Sequence, residues 1–224
     1  MSVFEFLPVI RSLVIYLLFS LSGVNQDVRV FVRSDEFNNP GSPDQARWGY
    51  DPGDGCPDRC GWGNRELEYY TQRPENVRVE NGHLIIEVRK ENRNGRNFTS
   101  ARLVTKNNGD WRYGRIEVKV ELPVRTGTWP AIWMLPTINE RKRKWAADGE
   151  IDIMEQVGCD PFTIHDTVHT NAYNHVENTR KAGVIEVIDD VSDFYVYKID
   201  WSADKIDWHV DNSMYFTFEN EMKG

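Results

Sequence analysis

Gly149-Glu150-Ile151-Asp152-Ile153-Met154-Glu155-Gln156-Val157 sets three acids within six residues of an otherwise apolar, β-branched run. A strand alternates faces, so Glu150 and Asp152 share one side and Glu155 belongs to the other, unless one extra residue is inserted between them. A β-bulge at Ile153 or Met154 supplies that residue, and all three carboxyl groups then point the same way. Glu150 and Glu155 would have backbones about 13 Å apart, four effective steps of about 3.3 Å. Side chains leaning inward from there can reach the ~5 to 5.5 Å carboxyl separation of a retaining glycosidase, whereas an inverting enzyme needs ~6.5 to 9.5 Å. Three like charges on one face repel, so the arrangement makes sense where at least one acid keeps its proton, as a general acid must. On this reading Glu150 is the nucleophile, Glu155 the acid/base and Asp152 the group that holds their pKa values apart. A solvated acidic strand face is the alternative that spacing alone leaves open.

The segments around this run repeat the period of two. Ile116, Val118, Val120 and Leu122 alternate with Glu117, Lys119 and Glu121. Val77 and Val79 face Leu84 and Ile86 across Asn81-Gly82, where a two-residue loop puts Val79 opposite Leu84. Ile206, Trp208 and Val210 align with Met214, Phe216 and Phe218 if Asp211, Asn212 and Ser213 form a three-residue loop. Further strands are expected at 27–33, 100–106, 130–135, 150–156, 166–172 and 194–201. The charged insertion from Ile138 to Ala147 reads as a surface loop. Many short antiparallel strands with turns between them indicate an all-β fold of two packed sheets, an antiparallel β-sandwich.

The chain has 224 residues and 40% hydrophobic content, enough for one sizeable core, and nothing in it marks a linker. A net charge of −8 argues against nucleic acid as a partner. Eight Trp, nine Tyr and ten Phe provide flat apolar faces that suit sugar rings and serve equally well as core. Arg11 followed by Leu13-Val14-Ile15-Tyr16-Leu17-Leu18-Phe19-Ser20-Leu21 reads as an export signal over residues 1–24, too short for a bilayer span; a retained anchor is the alternative. Residues 25–224 would form the domain, outside the cell and off the membrane. Export fits a short-loop disulfide between Cys56 and Cys60, with Cys159 left as a half-buried loop thiol. It also gives meaning to the glycosylation sequon Asn97-Phe98-Thr99.

From about Phe31 onward the chain resembles the laminarinase-like members of glycoside hydrolase family 16. These are secreted sandwich enzymes of the concanavalin A-like jelly-roll type, with a concave substrate cleft, that cut β-1,3-glucans with retention. Glu150-Ile151-Asp152-Ile153-Met154-Glu155 matches their acidic strand in its bulged form and implies the three roles given above. Gly127-Thr128-Trp129-Pro130-Ala131-Ile132-Trp133-Met134-Leu135-Pro136 is similar to a strand that lines the cleft, which makes Trp129 and Trp133 substrate-binding candidates; the pattern alone equally suits a core pair. Cys60-Gly61-Trp62-Gly63-Asn64-Arg65-Glu66-Leu67-Glu68-Tyr69-Tyr70-Thr71 resembles a sugar-contacting segment, implicating Asn64, with Glu68 standing where Gln is frequent. Ala101-Arg102-Leu103-Val104-Thr105-Lys106 matches the strand whose Arg reaches the cleft. Arg102 is the candidate there, against the ordinary alternative of a salt-bridged strand Arg.

Thr167-Val168-His169-Thr170 is like the strand whose His bonds within the catalytic centre, so His169 joins the candidates. His165 and His175 read as loop residues, although Tyr173-Asn174-His175 recurs in part of the family. The resemblance implies a monomer acting on β-glucan with no required cofactor and no metal at the site. Several members bind one structural calcium, for which Glu36 is the candidate here. It also implies further strands after Phe216-Thr217-Phe218, so the sandwich is expected to be incomplete at Gly224. A glucan-binding recognition protein on the same fold, and a galactan- or carrageenan-cleaving relative, are the alternatives. Recognition proteins in the family typically lack one or both catalytic Glu residues; this chain has both, which favours the enzyme.

Overall fold

A computed structural model of the chain describes residues 9–19, 28–138, 142–187 and 193–222. In chain order the strands are β1 (Val9–Phe19), β2 (Val28–Asp35), β3 (Gly49–Tyr50), β4 (Glu68–Tyr70), β5 (Val77–Glu80), β6 (His83–Ile86), β7 (Phe98–Ser100) and β8 (Leu103–Val104). They continue as β9 (Gly114–Glu121), β10 (Ala131–Met134), β11 (Glu150–Gln156), β12 (Thr163–His169), β13 (Lys181–Glu186), β14 (Tyr195–Trp201), β15 (Lys205–Val210) and β16 (Ser213–Glu219). The described residues pack as two compact units, one holding Glu36–Asp110 with Val9–Arg11, the other holding the described residues of 12–35 and 111–222.

The first unit is organised by the β5–β6 hairpin. Asn81 and Gly82 sit at φ of 53° and 76°, the left-handed pair that a tight hairpin turn requires and that these two residues tolerate. Val77 therefore pairs with Ile86 and Val79 with Leu84, as the alternation predicts. Phe37, Val77, Val79, Leu84 and Ala101 form the core, with Trp48, Tyr50, Ile86 and Leu103 against it. One buried amide ties the surrounding loops together. Asn76 donates to the Glu87 carbonyl at 3.0 Å and to Thr99 Oγ1 at 2.9 Å, and accepts from Thr71 at 2.6 Å. The single strand expected over 100–106 is instead two. β7 runs parallel to β4, while β8 pairs antiparallel with β3, so the ladder changes partner at Ala101 and Arg102.

In the second unit β9 shows the expected alternation of buried and half-buried residues and pairs with β14 along its length. The order β9-β14-β15-β16 makes one sheet and β10-β11-β12-β13 another. They face each other across Tyr197, Ile199, Trp208, Met154 and Ile164, all essentially solvent-free. Trp208 donates its indole N–H across the gap to the Asp152 carbonyl at 2.9 Å, fixing the acidic strand from behind. A Trp in such a place is worth about 3–5 kcal/mol against Ala.

Two expectations here need correction. The β15–β16 loop has two residues, Asp211 and Asn212, since Val210 pairs with Ser213. The extra residue is absorbed by a bulge at Trp208/His209, beyond which Trp208–Phe216 and Ile206–Phe218 pair as the pattern predicts. The strand expected at 166–172 is shifted to 163–169. The Thr170 hydroxyl accepts the N–H groups of Ala172 and Tyr173 and turns the backbone out of the ladder.

The export stretch 1–24 lies partly outside the described residues. Its described part belongs to β1, which pairs with β6 at Val9 and Ile10 and with β2 from Leu13 to Phe19. Among the described residues no helix is long and apolar enough to cross a membrane.

Candidate active site

The site is built on β11. Asp152 pairs with Thr167 and Glu155 with His165, three steps on β11 against two on β12, so one residue is extra. The same surplus appears against β10, where Asp152 pairs with Trp133 and Met154 with Ile132. Ile153 and Met154, 2% and 1% exposed, turn inward at the bulge, and the three acids return to a common face. This is the kink that the spacing of the acids requires.

Directly opposed residues on antiparallel strands share a face, so β12 presents one side chain to each acid: His169 to Glu150, Thr167 to Asp152, His165 to Glu155. The two outer acids are each held by an indole. Trp145 donates to Glu150 Oε2 at 2.7 Å, and Trp129 donates to Glu155 Oε1 at 3.0 Å. The middle acid is held by histidine, with His169 Nε2 3.3 Å from Asp152 Oδ2.

Burial raises all three carboxyl pKa values. Asp152, 3% exposed, is pushed to about 8 by desolvation and then by the charge of Glu155. Glu150 is pushed to about 7 by desolvation and then by Asp152. Glu155 is raised mainly by desolvation, with the Trp129 N–H opposing. Desolvation lowers His169, keeping the ring neutral. Asp152 and Glu150 are thus both held well above the ordinary carboxylate range. A hydrogen on His169 Nε2 satisfies Asp152 Oδ2. The indole hydrogen that Trp145 donates favours the ionised form of Glu150.

A second ring of aromatics backs Glu150. Trp145 lies 5.3 Å from His169 and 4.9 Å from His175, and the two imidazoles meet edge-on at 5.4 Å. Trp145 comes from the insertion expected to be a surface loop, of which residues 139–141 lie outside the described residues. Its lone aromatic in a Lys- and Arg-rich run was the available signal. His165 also departs from expectation: it lies within β12, not in a loop, and its spacing of two and four from Thr167 and His169 marks the shared face. His175 is a loop residue, but its ring joins the site.

Trp133 is half-buried on the face of Asp152, while Trp129 leaves 66% of its surface open beside Glu155. Asn64 and Arg102 belong to the first unit. Asn64 is exposed and donates to Glu66 Oε1 at 3.4 Å. Arg102 lies 4.4 Å over the Trp62 ring and 3.5 Å from Asp51. Beside them, Tyr70 touches both Glu66 and Glu68, at 2.7 and 2.9 Å. Cys56 and Cys60 form the expected disulfide, and Cys159 is exposed where a half-buried thiol was expected. Glu36 is exposed and belongs to no group of three or more potential metal-ligating side chains among the described residues. Glu150, Asp152 and His169 do form such a group, with ligand atoms within 4.8 Å of one another.

An all-β scaffold whose bulged strand turns two indole-held glutamates and a buried aspartate to one face defines a paired-carboxylate class of site. The chain belongs to glycosyl hydrolases family 16, whose signature matches residues 64–224. A β-glucanase of Rhodothermus marinus is 51% identical over 192 residues, 85% of this chain and 65% of that protein, so the chain spans about two thirds of this relative. A glucan endo-1,3-β-glucosidase of Cryptopygus antarcticus is 39% identical over 82% of this chain and 67% of its own length. The X-ray structure of the Rhodothermus marinus laminarinase superposes with a TM-score of 0.80 at 47% identity, covering 93% of this chain and 77% of that one.

Proposed function

We propose that the chain is an endo-acting retaining glycosidase that hydrolyses β-1,3-glucan, or a mixed-linkage β-glucan, outside the cell after removal of residues 1–24. The observation that carries this reading is the register skip between Asp152 and Glu155, which turns a strand of alternating faces into a row of three acids. The activities printed for the Rhodothermus and Cryptopygus relatives support the substrate class.

In the first step Glu150, as carboxylate, attacks the anomeric carbon while Glu155 gives its proton to the departing glycosidic oxygen, leaving a glycosyl ester on Glu150. In the second step Glu155, now a carboxylate, takes a proton from water, whose oxygen attacks the same carbon and releases Glu150. Asp152, kept protonated by burial, donates a hydrogen bond to Glu150 and weakens its hold on the sugar when the ester must break. His169 fixes the orientation of Asp152. The open face of Trp129, whose N–H binds the acid/base, suits the apolar side of a glucose ring. No cofactor enters either step. The chain acts as a monomer, and its net charge of −8 disfavours nucleic acid.

The test is release of oligosaccharides from laminarin and lichenan by the intact chain and by Glu150→Gln, with product sizes read out. Release by the former and its loss in the latter is expected. Tight laminarin binding with no cleavage by the intact chain would favour a recognition protein instead.

A further inference from the structure

The sequon Asn97-Phe98-Thr99 falls at a distinctive place in the first unit. Arg93 and Arg96 close a tight turn around Asn94 and Gly95, whose φ values of 48° and 82° fit a two-residue hairpin loop. Arg96 then anchors this turn, donating to Asp54 Oδ2 at 3.0 Å and to the Glu66 carbonyl at 2.9 Å. Asn97 follows at once, exposed, immediately before β7. The parallel register pairs Glu68 with Phe98, so Leu67 and Asn97 are the residues that lead into the two paired strands. Leu67 is 66% exposed, an apolar side chain with little protein cover. It lines, with Gly95, Arg96, Asn97 and Phe98, a shallow cavity of about 170 Å³.

We propose that Asn97 is a site of N-linked glycosylation, and that the first N-acetylhexosamine of the glycan lies over Leu67 and Phe98. In the transfer, Asn97 Nδ2 forms a bond to C1 of a sugar carried on a polyprenyl diphosphate. The C1–O bond to the diphosphate breaks, the amide gives up one proton, and the lipid diphosphate leaves. The acetamido methyl and the apolar ring face of that sugar match the uncovered leucine, and its polar edge faces water. Thr99, the hydroxyl residue of the sequon, is wholly buried and accepts from Asn76 at 2.9 Å. The folded unit hides it, so modification precedes folding, during entry into the secretory lumen.

This inference rests on export. The full chain is therefore expressed in a eukaryotic secretory host in two forms, with its own N-terminus and with an established cleavable signal fused ahead of it. Glycosylation is read by intact mass and gel shift in total lysate and medium, with Asn97→Gln as the control. A mass increment lost in Asn97→Gln is expected in both forms. The increment in the fused form alone would sink the export reading and leave the glycan site standing; no increment in either would overturn the site. Glycoprotein trimmed to one sugar should melt above protein stripped entirely, by about 2–4 °C for a domain of 150–250 residues. Equal melting would overturn the packing on Leu67.

Discussion

Trp129 and Glu155 are joined by one hydrogen bond of 3.0 Å, from the indole Nε1 to Oε1, while most of the indole stays open to solvent. One residue thus serves the acid/base with its edge and offers a face to substrate. Replacing it with Phe keeps an aromatic face and removes the N–H. A hydrogen bond to a carboxylate is worth about 1.5–3 kcal/mol, so kcat/KM should fall roughly tenfold to a hundredfold. Because the N–H holds the Glu155 pKa down, its loss should also move the alkaline limb of the pH–rate profile upward. Laminarin hydrolysis by Trp129→Phe across pH checks both; an unchanged profile would remove the indole from the proton-donating machinery.

Asp152 makes stability depend on pH. Its folded pKa, about 8 against an ordinary 3.8, means that the folded chain binds one more proton than the unfolded chain between those values. Its contribution is full below the unfolded value and is lost as pH rises, at up to about 1.4 kcal/mol per pH unit for one proton. Glu150 and Asp166, both raised to about 7 chiefly by burial, act in the same direction. Urea unfolding should show stability falling from pH 5 to pH 8, with a shallower fall in Asp152→Asn. Parallel slopes in the two proteins would contradict the assignment of the proton.

His165 faces Glu155 across the bulge, and its interaction with that acid opposes the rise in pKa that burial causes. In His165→Gln the alkaline limb should rise. The loss in kcat/KM at the optimum should be under about fivefold, since one partly exposed charge contact is worth at most about 1 kcal/mol. A hundredfold loss in kcat would mean that His165 touches the reacting atoms.

Gly183 sits opposite Asp166 with no room for a side chain. A Cβ there would lie 2.6 Å from the Phe216 Cβ and 2.7 Å from both Asp166 oxygens. Gly183→Ala should cost about 1–3 kcal/mol, read as a lower urea midpoint with an unchanged m value. Asp166 is fully buried and bonded to Tyr215, so the backbone cannot yield there without disturbing the bulge of β16.

Much of the fold and of the acidic row is legible in the sequence. The Val79–Leu84 register follows from Asn81-Gly82, and the β11 bulge follows from three acids that share a face only if one residue is added. Both are local facts of spacing. What was hidden depends on distant partners. The two-residue loop at Asp211-Asn212 is matched by a bulge that leaves Tyr215 free to reach Asp166, a contact that no local pattern encodes. Trp145 reads as part of a charged surface insertion until the fold returns it to Glu150, five residues on. His165 reads as a loop residue in the sequence because the start of β12 is set by pairing with β11 and β13, not by its own alternation.

The claim that everything else depends on is that Glu150 and Glu155 act from one face as nucleophile and acid/base. Proton NMR of the first minutes of laminarin hydrolysis tests it most directly, because the anomeric signal of new reducing ends appears before mutarotation scrambles it. The account predicts the β-anomer first, and an α-anomer appearing first would contradict it.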